Sequence, residues 1–523
     1  MKIDMSKLTL REKVLQTFIA CSHDIKRFEE PKDFFEQFPV GGVYAATDKA
    51  DMGKLMEGDN IADESFAAMC RRYSKYPLLI CADGVPINGG RTPQQLSTLG
   101  ACNSLELAYD CGKAYGMQMN YNDIDWMLTP RTDLEICKYE NARLAYATDE
   151  PKYNAELFNA LIRGLHDRGV IATVKHFPGV GTDAVNTHMA PGINRLDFDT
   201  WMESYGYCYQ EFIKQGCMSF MTAHVAFPAW TQEKENGFMP LTTLSSKLTM
   251  GLLKEKLGFE GAVVTDAMTM GGCAFGDQIA ASVQAFKAGA DMLLWPPLET
   301  CDEIVRQLES GEIPMSRLED ALSRIEKLRD FAECNKAKKA DPDPQLVEDT
   351  AKKILTGASE LLRNEIDLLP LQKEDGKKIL VVGNCEYERD MKLAEKFSEL
   401  LKQKGFDVDF RKFLLTCWQE DIHEICDPYD VILFILSHRY VIDYASGLEQ
   451  DCGSSTWASH LVDNKKKIFV NFGLQYIAED FYPGEHTFVN MNQGISTYSI
   501  ELLADQICGE REFTGKARFN IRK

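Results

Sequence analysis

The sequence predicts an α/β protein. Residues 1–335 read as an N-terminal (β/α)8 TIM-type barrel, 336–374 as a linker and connecting helix, and 375–523 as a smaller α/β sandwich domain of doubly wound type. Three observations predict this. A chain of 523 residues is too long for one compact domain. Short apolar runs alternate with amphipathic stretches through the first two-thirds, as in a parallel sheet covered by helices. The polar segment NKAKKADPDP then separates that region from a shorter series of strands and helices.

Taken in order, the barrel strands are VGGVYAA (40–46), YPLLICADG (76–84), IDWMLTPRTDL (124–134), GVIATVKHFPG (169–179), CMSFMTAHV (217–225), GAVVTDAM (261–268) and ADMLLWP (290–296). Each is rich in aliphatic or β-branched residues, and most end in a polar or Gly/Pro cluster. Helical patterns fall between several of them, for example at 242–258 and 276–289. Residues 302–333 are helical and charged. Beyond the linker, KKILVVGN (377–384), DVILFILSH (430–438) and KKIFVNFG (466–473) read as strands, with a helix over 389–405. The first of these ends in GNCEYE, not G-x-G-x-x-G, so no dinucleotide site is expected.

Composition narrows the function. The chain carries 58 Lys+Arg against 79 Asp+Glu, a net charge of −21. Such a chain repels phosphate backbones and anionic headgroups, so neither nucleic acid nor a membrane surface is an expected partner. The 16 cysteines include no C-x-x-C pair and no zinc-type spacing. The N-terminal stretch lacks a signal-peptide pattern, and no apolar run is long enough to span a bilayer. A reducing, cytoplasmic setting without metal or organic cofactor is expected. Nothing in the sequence fixes the oligomeric state.

Polar residues close most strands: Asp83, Asp133, Lys175–His176, His224, Asp266 and Trp295. Barrels place their chemistry at that face. Lys175 and His176 can donate hydrogen bonds to vicinal hydroxyls or to a carbonyl oxygen, or they can be a solvated lysine and a strand-capping histidine. His188 ends a loop and suits proton transfer near neutrality, with Asn186 placed to accept from its ring; a surface histidine without a role is the plain alternative. Asp266 can attack an anomeric carbon or cap the helix that follows. Asp83 can hold two hydroxyls or simply turn the chain before Gly84.

The combination KHFPGVG with a downstream histidine, SFMTAHVAFP, PLTTLSSKLTMGLLKEKLGFEGAVVTDAMTM and AGADMLL resembles glycoside hydrolase family 3, particularly its β-N-acetylhexosaminidase branch. The resemblance runs through the whole barrel, and the C-terminal domain is similar to the sandwich that follows it in many members. It implies that Asp266 is the nucleophile, that Lys175, His176, Asp83 and Arg143 bind the sugar, and that His188 is the acid/base, oriented by the residue at 186. Three departures stand out. Asn186 replaces the family's Asp, Val180 stands where P-G-H-G has His, and DGVPINGGRT departs from D-x-E-G-G-x-V-x-R, leaving Arg91 a loose counterpart. Two extra residues also separate Arg143 from the following D-E-P.

The expectation is a retaining β-glycosidase that removes terminal β-linked N-acetylhexosamine, GlcNAc first, from a small glycan or glycoside through a glycosyl-Asp266 intermediate. The competing readings are a β-N-acetylglucosaminide phosphorylase, a β-glucosidase or xylosidase of the same fold, and a non-catalytic carbohydrate-binding relative.

Overall fold

The computed structural model describes residues 3–45, 65–83, 96–136, 146–232, 239–274, 276–335, 343–414, 421–437, 458–473, 477–480 and 485–519. The chain divides into two compact units. One comprises Met1–Gly90, Ala108–Asn141 and Glu150–Thr350; the other comprises Arg91–Leu107, Ala142–Asp149 and Ala351–Lys523.

In the first unit the strands are β1 (Phe18–Cys21), β2 (Gly42–Tyr44), β3 (Leu79–Ala82), β4 (Trp126–Met127), β5 (Ile171–Phe177), β6 (Gly192–Ile193), β7 (Ser219–Thr222), β8 (Val225–Ala226), β9 (Ala262–Thr265) and β10 (Leu293–Leu294). Eight of them form one parallel sheet in the order β10-β1-β2-β3-β4-β5-β7-β9. A Val264–Met292 bridge joins its two edges, so the sheet is a barrel. The short β6 and β8 pair with each other outside it. Strands β3, β7 and β9 are buried at every position. A parallel sheet with helices outside and side chains inside requires this, and it is why these strands read as continuous apolar runs. Ile19, Leu79, Trp126, Ile171, Met221 and Val264, from six different strands, share one buried cluster.

All seven expected strands form. The eighth, β1, lies in TFIAC, close behind the helix Leu10–Leu15, where four residues give too little alternation to register. The stretch read as one helix over 242–258 instead splits into a tight turn, Thr242–Leu244, and a wide π-type helix, Lys247–Lys256. The helix expected at 276–289 spans Gln278–Ala288 and ends on Gly289 in the left-handed conformation. Just before β10, buried Asp291 joins Lys254 at 2.9 Å and Arg317 at 2.6 Å, and its other oxygen accepts the Val263 N–H at 2.8 Å.

The second unit holds a six-stranded sheet: β11 (Glu360–Asn364), β12 (Lys378–Cys385), β13 (Asp407–Lys412), β14 (Val431–Ser437), β15 (Lys467–Asn471) and β16 (Thr487–Asn490). The order is β11-β16-β15-β14-β12-β13, parallel except for β11 at the edge. Apolar clusters cover both faces, so the unit is doubly wound. Among the described residues, no helix is long and apolar enough to cross a membrane, and the cysteines form no disulfide.

Candidate active site

Parallel barrel strands all deliver their last residues to one end, so residues far apart in sequence meet there. Asp266 follows β9 directly. Its own N–H donates to the Thr222 carbonyl at 3.0 Å. One carboxylate oxygen accepts the Ala267 N–H at 2.8 Å, and the other stands 3.7 Å from His176 Nε2. Its side chain is 17% exposed. The next helix begins only at Gly271, so Asp266 is not that helix's cap. Burial alone would raise its carboxyl. The neighbouring His176, His224 and Lys175, with the Ala267 hydrogen bond, outweigh burial and hold it below the ordinary carboxylate value.

A strand alternates its side chains between faces, which would turn Lys175 and His176 apart. The register between β5 and β7 slips between Lys175 and Phe177, so His176 is the extra residue of a bulge. The Lys175–His176 peptide is cis. Both side chains reach the mouth. Lys175 Nζ donates to Asp83 at 2.8 Å, and the Tyr44 hydroxyl, at the end of β2, donates to the other Asp83 oxygen at 3.1 Å. The Asp83 side chain stays 53% exposed, leaving lone pairs open to hydroxyls.

His176 is held from below. Its Nδ1 lies 2.8 Å from Asp133, which is fully buried. Asp133 also accepts the backbone N–H of His176 at 3.2 Å, that of Val180 at 2.8 Å and Arg131 Nε–H at 3.1 Å. Burial pushes the Asp133 carboxyl up, but His176 and Arg131 push it down further, and the net shift is downward. The buried carboxylate thus fixes the ring so that Nδ1 faces Asp133 and Nε2 faces Asp266.

His188 is exposed. Its Nδ1 stands 2.9 Å from Asn186 Oδ1, which also accepts the His188 N–H at 3.0 Å. An amide oxygen only accepts, so Nδ1 carries a hydrogen and Nε2 is the ring nitrogen left for other partners. The loop is tied at its base. Asp183 accepts the Ile193 N–H at 3.0 Å, and Gly192 N–H donates to the His224 carbonyl at 3.1 Å. Val180 packs with Ala223 and Val225 in a small apolar cluster.

His224 is buried. Its Nε2 lies 3.1 Å from the Ala267 carbonyl and its Nδ1 3.0 Å from the Thr243 hydroxyl. Burial pushes its imidazole down, against the pull of Asp266, and favours the neutral ring. Trp295, after β10, packs edge-on against Tyr44 with ring centres 5.0 Å apart.

The structure therefore brings Asp83, Lys175, His176 and Asp266 to one end of the barrel, and pairs Asn186 with His188 on a loop there. Arg143 and Arg91 lie outside the described residues. Sequence reasoning gave no role to Tyr44 or Asp133. Tyr44 had no signal beyond ending a strand. Asp133 did have one, as a carboxylate at the close of a long apolar stretch. Among the described residues, no group of His, Cys, Asp and Glu could hold a metal ion.

Residues 9–328 match the family model described as the glycosyl hydrolase family 3 N terminal domain. A beta-N-acetylglucosaminidase/beta-glucosidase from Cellulomonas fimi is 24% identical over 490 residues, covering 84% of this chain and 83% of that protein. A glycoside hydrolase family 3 beta-N-acetylglucosaminidase from Paenibacillus sp. str. FPU-7 shares the fold with a TM-score of 0.78 at 22% identity, covering 98% of this chain and 99% of that one. A beta-glucoside phosphorylase solved with 2FGlc bound gives a TM-score of 0.78 at 22% identity, covering 98% and 95%.

Proposed function

The chain belongs to glycosyl hydrolase family 3, and from that premise we propose that it is a retaining β-glycosidase acting on terminal β-linked N-acetylhexosamine, with GlcNAc the first candidate. Asp266 attacks the anomeric carbon. The bond to the aglycone oxygen breaks as His188 Nε2 gives that oxygen its proton, leaving a glycosyl-Asp266 ester. Neutral His188 then takes a proton from water as the water oxygen displaces Asp266 from the same carbon. Two inversions give net retention.

The observation that carries this reading is the setting of Asp266: at a strand end, one oxygen fixed by a backbone N–H, the carboxyl held ionised by surrounding positive charge. An ionised, oriented carboxylate is what nucleophilic attack needs. Asp83 and Lys175 form a hydrogen-bonding pair suited to the hydroxyls of the non-reducing sugar, and His176, 3.7 Å from Asp266, is proposed as a further ligand of that sugar. Arg143 is proposed as a further sugar ligand. The name of the Cellulomonas fimi relative supports both GlcNAc and glucose as candidate sugars. The scattered cysteines, with no C-x-x-C pair, support a reducing, cytoplasmic setting.

Phosphorolysis is the second reading, favoured by full-length similarity to a beta-glucoside phosphorylase. There phosphate replaces water in the second step and the product is a sugar 1-phosphate. Nitrophenyl β-GlcNAc and β-glucoside, each with and without phosphate, test both. Free GlcNAc of retained configuration supports hydrolysis, and GlcNAc 1-phosphate supports the second reading. Binding of GlcNAc by calorimetry with no turnover of any activated glycoside overturns both and leaves a carbohydrate-binding protein.

A further inference from the structure

The loop bearing His188 has its exposed crest at His188, Met189 and Ala190, with Met189 77% exposed. Its backbone nevertheless rests on the chain that carries Asp266. Beyond Asp266 the chain passes through Ala267–Met270 to the short helix Gly271–Ala274. There the Gly271 N–H donates to the His188 carbonyl at 2.9 Å. A Cβ on Gly271 would lie 2.7 Å from the Met189 carbonyl oxygen and 3.1 Å from that of His188. On Gly272 it would lie 2.4 Å from the Thr187 carbonyl oxygen, 3.1 Å from that of Ala190 and 3.3 Å from His224 Cβ.

Neither glycine adopts a positive φ. They are therefore not required by a turn. What the site uses is their missing Cβ, which lets two backbones approach to contact. The segment beneath them is fixed in turn: Asp266 N–H bonds to Thr222, the Ala267 carbonyl faces His224, and Met268 N–H donates to the Leu294 carbonyl at 2.9 Å. The crest of an otherwise open loop is thus seated on backbone anchored to β7 and β10.

We propose that Gly271 and Gly272 are positioning residues that set the separation between His188 and Asp266, so that one rigid segment serves both the proton donor and the nucleophile. The proposal rests on the roles given to those two residues above. It deepens that reading by naming what holds the acid/base loop in register. Proton transfer and attack must coincide, and a misplacement of about 1 Å can cost on the order of 100-fold in rate. A methyl group pushed against a carbonyl oxygen lifts the loop by a fraction of that or more.

The test uses Gly271→Ala and Gly272→Ala in the full-length enzyme with two β-GlcNAc substrates. One has a poor alcohol leaving group that needs protonation. The other has a dinitrophenolate that leaves without it. Displacing only the acid loses about 100-fold in kcat on the first and roughly a few-fold in the glycosylation step on the second, with Gly272→Ala the more severe. Equal losses on both substrates, or none on either, overturn the proposal, since a merely structural defect does not discriminate between leaving groups. His188→Ala separates the two layers. If it shows no dependence on leaving group, the acid/base reading itself fails. If it does and the glycine variants do not, only the seating is wrong. Where a variant fails to fold, the unaltered enzyme decides. Seating requires the Gly271 amide to exchange with solvent within about tenfold of the Met268 amide, and exchange at the rate of an open loop contradicts it.

Discussion

His176 Nε2 stands 3.7 Å from Asp266 Oδ2. That separation is too long for a direct hydrogen bond but close enough for each group to feel the other's charge. Behind the ring, buried Asp133 takes Nδ1 at 2.8 Å. Asp133, His176 and Asp266 thus form a line in which a buried carboxylate orients the imidazole and the imidazole favours ionisation of the carboxylate beyond it.

Asp133→Asn tests that line. The amide keeps the shape but removes the carboxylate that holds the His176 ring toward Asp266. With that ring less firmly held beside it, Asp266 loses part of its downward shift, and the acid limb of kcat/KM moves to higher pH. Leaving Arg131 and His176 without their buried carboxylate costs about 3–5 kcal/mol of stability. A pH–rate profile together with denaturant melts checks both effects. An unmoved acid limb in a folded variant contradicts the coupling.

Asn186→Asp places a carboxylate 2.9 Å from His188 Nδ1. Asn186 can orient the ring but cannot stabilise imidazolium. A carboxylate there favours the protonated ring through its charge. The basic limb of kcat/KM then moves to higher pH, with activity equal to or above that of the natural chain. Rates with nitrophenyl β-GlcNAc across pH measure this.

His224 makes stability depend on pH near neutrality. Burial lowers its proton affinity in the folded state. Below about pH 6.5 the unfolded chain takes up a proton that the folded chain refuses, so this contribution is complete above that pH and shrinks as pH falls toward the folded value. The depressed carboxyls of Asp133 and Asp266 act lower. Their contributions are complete above the ordinary carboxylate range and fade only as pH drops through their folded values. Between about pH 7 and about pH 5, His224→Gln therefore loses less stability than the natural chain. Equal slopes in urea titrations at the two pH values contradict the assignment.

Asp291→Ala separates stability from chemistry. It removes the buried carboxylate between Lys254 and Arg317, whose side chains are 3% and 8% exposed, and leaves them only the more exposed Asp320, at 3.4 Å and 2.6 Å. The expected loss is about 3–5 kcal/mol. Because Asp291 precedes β10, away from the strand ends that carry Asp83, Lys175 and Asp266, the folded variant keeps its kcat. Thermal melts and initial rates below the transition check this.

Much of the site was legible because parallel strands end where barrels do chemistry. Asp83, Lys175, His176 and Asp266 could be picked out as polar residues closing apolar runs. What escaped notice has physical reasons. Strand β1 has four residues and follows a helix closely, so no period develops. Strand β13 (DVDFRK) lies at a sheet edge, where charged side chains protect against further pairing and mask the apolar alternation. The function of Asp133 lies in who approaches it, namely two backbone N–H groups, a guanidinium and an imidazole from 47 residues away or less, and spacing does not encode that. The glycine pair at 271–272 marks an approach of backbones, which leaves no periodic trace.

The most direct measurement is trapping. A 2-deoxy-2-fluoro or 5-fluoro β-glycoside with a dinitrophenolate leaving group is incubated with the enzyme, and the labelled protein is digested and mapped by mass spectrometry. The sugar is expected as an ester on the peptide containing Asp266, absent from Asp266→Asn, which also loses more than about 1000-fold in kcat/KM. An adduct on any other side chain, or undiminished turnover by Asp266→Asn, would contradict the assignment of Asp266 as the nucleophile.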